Sequence, residues 1–103
     1  MGGAPIQIGE SVLHHINPKE DTALFIDVCN NVGGAYVMRF YQASNPRNFQ
    51  QALFYLQSAL DLMDASQDSD QYFSSIIEIS TLFLYYQRSL QEKDDRIQMI
   101  HKG

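Results

Sequence analysis

The chain has 103 residues, 45% hydrophobic and 18% charged, a composition that folds as one domain and excludes intrinsic disorder. Seven Lys and Arg against twelve Asp and Glu leave a net charge of -5, which argues against phosphate neutralisation, so no nucleic-acid partner is expected. Cys29 is the single cysteine and excludes an internal disulfide, and no apolar run approaches a membrane span, so no membrane insertion is expected.

Residues 1–7 read as a flexible N-terminus; Met1 to Ile6 carries neither the positive region nor the apolar run of a secretory signal. A cytoplasmic protein is therefore expected, with a secreted effector as the other setting. Residues 8–100 read as a single helical domain, and 101–103 as a flexible C-terminus. The first helix is short and amphipathic: Ile8, Val12, Leu13 and Ile16 make its apolar face, and Glu10, Ser11, His14 and His15 are expected to face water.

Two Asn-Pro pairs, Asn17-Pro18 and Asn45-Pro46, each read as a helix start, because Asn is a strong N-cap and Pro suits the first helical position. Glu20 adds a partner at the capping-box spacing. The second helix is expected to begin at Pro18 and to bury Phe25, Val28, Cys29 and Val32. Beyond Gly33-Gly34 the apolar face shifts to Tyr36, Val37, Phe40 and Tyr41, which predicts a kink at the glycines that turns Arg39 to water. Close helix crossing at the small residues is the competing account.

The third helix is expected from Pro46 to about Ala65, burying Phe49, Ala52, Leu53, Leu56, Ala59, Leu60 and Met63, with Phe54 alone pointing outwards. The polar linker Ser66–Asp70 then predicts an antiparallel hairpin with the last helix. That last helix, Asp70 to Ile100, is the most specific signal in the chain. Tyr72, Ile76, Ile79, Phe83, Tyr86, Leu90, Ile97 and Ile100 fall on one heptad seam, broken by Lys93. Phe73, Ile77 and Leu84 widen it on one flank and Leu82 on the other. The apolar arc spans about 220°, roughly twice what one covered face requires. At its end, Gln91 to Arg96 forms a solvated overhang.

Phe49, Ala52, Leu56 and Ala59, in the segment 48–64, carry the spacing of the second helix of a tetratricopeptide repeat, which this segment resembles. The first helix of such a repeat is poorly matched. Tyr36 fits, but Arg39 and Phe40 stand where Leu and Gly are usual, Ala43 where Tyr is, and Asp64 where the closing Pro is. The resemblance implies helix-hairpin packing and, by analogy, protein binding.

No catalytic pattern is present. Glu10 and His14 lie one helical turn apart, but two ligands do not make a zinc site, so no metal or cofactor is expected. Cys29 has no base beside it in sequence, and the phosphate-loop pattern is missing after Gly33-Gly34. The chain is therefore read as all-α, a small antiparallel helical bundle with a short N-terminal helix, a kinked second helix and a long C-terminal helix. Its expected function is that of a small acidic interaction protein, an adaptor, secretion-type chaperone or neutralising partner, and not an enzyme. The partner, another protein or a second copy, is expected on the apolar face of the last helix, at Leu82, Tyr86, Leu90, Ile97 and Ile100, with Phe54 and Tyr85 at the rim. The alternative is a small-molecule sensor or enzyme with a pocket between helices two and four, anchored by Arg39.

Overall fold

The computed structural model describes the backbone of residues 4–102 and the side chains of residues 6–95. Four helices follow one another: α1 (Ala4–Leu13), α2 (Thr22–Ala43), α3 (Pro46–Leu62) and α4 (Ser69–Lys102). The architecture is all-α. Local chemistry sets most of the boundaries. The Asn45 side chain accepts from the Arg47 amide at 2.9 Å with Pro46 at the first helical position, so the second Asn-Pro pair starts α3. Ser44, the C-cap of α2, takes the left-handed conformation at φ 53° and its amide donates to the Phe40 carbonyl at 2.7 Å.

The first Asn-Pro pair does something else. Asn17 accepts from the Lys19 amide through its side chain, and from the Glu20 and Asp21 amides through its carbonyl. This closes one turn at Pro18–Glu20, and α2 begins only at Thr22, not at Pro18. The first helix also departs from expectation, since it starts at Ala4 and buries Ile6, while Ile8 and Val12 lie outwards. The segment 4–7 is thus part of α1 rather than a flexible lead.

The broadest packing is between α2 and α3. Cys29, Val32, Gly33, Val37 and Phe40 of α2 are buried with Phe49, Ala52, Leu56 and Ala59 of α3. The four α3 residues are those that carry the tetratricopeptide-like spacing, so the pattern marks the face that α2 covers. The helix α2 is continuous across Gly33-Gly34. Gly33 is the crossing point: a methyl group there would meet Leu56 Cγ and Cδ2 at 2.9 Å and the Leu56 backbone nitrogen at 3.3 Å. Close crossing, rather than a break, explains the glycine. Gly9 serves α1 likewise, pressed against the Val32 side chain.

The helix α4 rests on this pair through fewer contacts. Ile79 and Leu82 enter the cluster of Val37, Phe40, Phe49 and Leu56, and the Tyr86 ring stacks on Phe49 at 4.1 Å. At about 51 Å, α4 is roughly twice as long as α3. The molecule is correspondingly elongated, 59 × 34 × 16 Å, with a radius of gyration of 16.2 Å against about 13 Å for a compact chain of this length.

Candidate functional site

Between Gln71 and Gln87 the only charged residue of α4 is Glu78. At 100° per residue, Ser75, Ile79, Leu82 and Tyr86 share one arc, and this arc faces the domain. Glu78 and Ser89 lie half-buried on its flank, and burial pushes the Glu78 carboxyl above its ordinary range. The opposite arc carries Phe73, Ile76, Ile77, Phe83 and Leu84, with exposures of 60, 36, 65, 43 and 66%; Phe83, at its edge, also meets the Phe49 ring edge-on at 5.3 Å. Ser80 sits at its centre and is exposed. The helix therefore buries one apolar stripe in the domain and leaves a second apolar stripe exposed where an ordinary surface helix is polar.

The expected interface residues separate on this geometry. Leu82 is fully buried in the domain's own core and is not a docking residue. Tyr86 is half-buried on Phe49. Tyr85, at 37% exposure, packs on the Tyr41 ring at 4.6 Å, and its hydroxyl donates to the Tyr41 carbonyl at 3.4 Å. Leu90 is 43% exposed at the edge of the uncovered arc. Phe54 is exposed as expected, but it lies on α3 beside Gln50, Gln57 and Asp61, over a shallow groove rather than with the α4 residues. The side chains of Ile97 and Ile100 lie outside the described residues.

What the sequence reading missed is which flank of the seam is free. Phe73, Ile77 and Leu84 read as a second row on one flank of the seam and Leu82 as the row on the other. The distinguishing signal is the company each flank keeps: Ser75, Glu78 and Ser89 border the Leu82 side, and no charge borders the other between Asp70 and Arg88.

Other candidate chemistry resolves into structure. Glu10, expected in water, turns inwards: Tyr55 donates to its carboxylate at 2.6 Å and Tyr36 at 3.4 Å, tying α1 to α2 and α3. Burial, and then the bond to Glu10, raise the Tyr55 hydroxyl far above its usual range, and burial followed by the Glu10 charge raises Tyr36. The Arg39 guanidinium lies 5.9 Å over the Tyr36 ring, on the side of α2 that meets α1. It does not face α4, which meets α2 through Val37, Phe40 and Tyr41. Cys29 is buried, and burial pushes its thiol up to about 11. It borders a small cleft of about 180 Å³ with Glu10, Phe25 and Tyr55. Among the described residues, no group of three or more His, Cys, Asp or Glu is placed to hold a metal ion, and no helix is long and apolar enough to cross a membrane.

No family model, curated protein or solved structure matches this chain.

Proposed function

We propose that the chain is a small acidic protein-protein interaction module, of the adaptor, chaperone or neutralising-partner kind, that docks another polypeptide on the outer face of α4. The observation that carries this reading is the partly exposed, charge-free arc of Phe73, Ile76, Ile77, Phe83 and Leu84. Those five side chains expose on the order of 500 Å² of apolar surface, scaling a large side chain's usual area by its exposure. A contiguous patch of that size is at the upper end of what monomers carry, and such patches are commonly sites of association. Burying it gains roughly 12 kcal/mol before the entropic costs of association, enough for a specific complex once those costs are met.

The small-molecule reading lacks a comparable observation, because its anchor, Arg39, stacks over Tyr36 on the α1 side. The two readings separate in one experiment. A variant carrying Ile77→Asp and Leu84→Asp, with unchanged helical circular dichroism, is expected to lose both association and the binding of an apolar-surface dye. Retention of both by the double variant would remove the proposal.

A further inference from the structure

We infer that the occupant of the α4 face is the same face of a second copy, with the two α4 helices antiparallel across a two-fold axis near Ser80. This rests on the reading of α4 as a docking face and adds what docks there. An isologous contact demands a surface that complements itself when reversed. The outer arc has that property. Counted from Ser80, Ile76 and Ile77 lie four and three residues before, and Phe83 and Leu84 three and four residues after. Steps of three, four and seven keep residues on one helical stripe, so the four side chains nearest Ser80 read alike in both directions, while Phe73, seven before, is answered by Gln87, seven after. Reversal about Ser80 sets Ile77 against the partner's Leu84 and Ile76 against the partner's Phe83. On the Tyr72 edge, Tyr72 meets the partner's Leu90. At the centre stands an exposed serine, small enough for two helices to approach closely.

Charge gives the direction. Asp70 and Arg88 lie on the same edge of the arc, ten residues before Ser80 and eight after it. In the antiparallel pair Asp70 lies beside the partner's Arg88, twice over by symmetry. A parallel two-fold pair carries each edge to the opposite edge of its partner, so Asp70 and Arg88 there meet the Tyr72–Leu90 edge and gain no opposite charge. Size agrees as well. Two arcs of on the order of 500 Å² give about 1,000 Å², the lower bound for a specific interface, before Leu90 and the charged edge are added. Among the described residues nothing else lies over the arc, and a second copy supplies that layer.

Light scattering and sedimentation across micromolar to submillimolar concentration are expected to give twice the 11.8 kDa chain mass. Cys29 is buried and stays in place as the blank. Ser80→Cys, at the axis, is expected to form a chain-to-chain disulfide on mild oxidation, and Phe73→Cys, about 20 Å from its own copy, is not. Asp70→Arg is expected to weaken the dimer about five- to tenfold, and Asp70→Arg with Arg88→Asp to restore it.

Cross-linking by Phe73→Cys, or no rescue by the charge swap, overturns the antiparallel arrangement. A monodisperse monomer at the highest concentration overturns the second copy altogether. If that monomer still binds the dye through Ile77 and Leu84, the docking face stands with a different occupant. If it does not, the functional reading falls too.

Discussion

The continuous path of α2 through two adjacent glycines makes opposite demands on them, and alanine substitution separates the two. Gly34 has no atom within 4 Å of an added methyl group. Gly34→Ala therefore keeps only the helix-propensity gain, about 1 kcal/mol in favour of the fold. Gly33→Ala has the same gain, but its methyl arrives 2.9 Å from the branch carbon of Leu56, which is fully buried, and 3.3 Å from a backbone nitrogen. Carbon pairs rest near 3.5–4.0 Å, so α3 must move by most of an ångström, at about 1–3 kcal/mol. The net expectation is a loss of about 1 kcal/mol, leaving the two variants about 2 kcal/mol apart. For a domain of this size that separates their melting temperatures by roughly 10 °C. Thermal unfolding followed by far-ultraviolet circular dichroism, at one fixed protein concentration, measures it. Equal shifts in the two variants would refute the crossing and restore the kink.

Three other outcomes follow from the same packing. Leu82→Ala is expected to cost about 3 kcal/mol of stability, because it empties a fully buried site, whereas Leu24→Ala, at an exposed position, stays within about 0.5 kcal/mol; urea unfolding distinguishes them. Glu78 has its carboxyl raised by burial, so its ionised form is disfavoured in the fold and stability contributed by its neutral form is lost as pH rises through that range. Glu78→Gln should accordingly melt higher than the parent at pH 7, with the difference vanishing well below the ordinary value of 4.5, where both states are protonated; a pH series of melting curves that run parallel would contradict this. Cys29, with its thiol pushed up to about 11, should hold only about one thiolate in a thousand at pH 8, so a disulfide reagent labels it slowly in the native protein and at once in denaturant. Stoichiometric labelling of the folded chain within seconds would show that the site is open.

Elements governed by their own residues were legible in the sequence. The cap at Asn45-Pro46, the buried face of α3 and the continuous run of α4 all follow from neighbours three or four positions apart. Features governed by a distant residue were not. Gly33 reads as a helix breaker until Leu56 is set against it, and Glu10 reads as solvated until Tyr36 and Tyr55 come round to it. The same limit hid which flank of α4 stays exposed. A heptad seam with apolar rows on both flanks states that two sides are covered but not which side the domain takes, and the domain takes the side with Leu82.

The unequal contacts of the helices also divide the molecule's cooperativity. Only Ser44 and Asn45 separate α2 from α3, so their hairpin closes at little entropic cost and is the natural nucleus for folding. The last helix packs on that pair through fewer contacts, along a short aromatic ledge, so its amides are expected to exchange with solvent through smaller openings than those of the hairpin. Whatever settles on its outer arc therefore acts on the least secured part of the chain. Binding would register as slowed exchange along α4 while the α2–α3 hairpin, already closed, keeps its own rates.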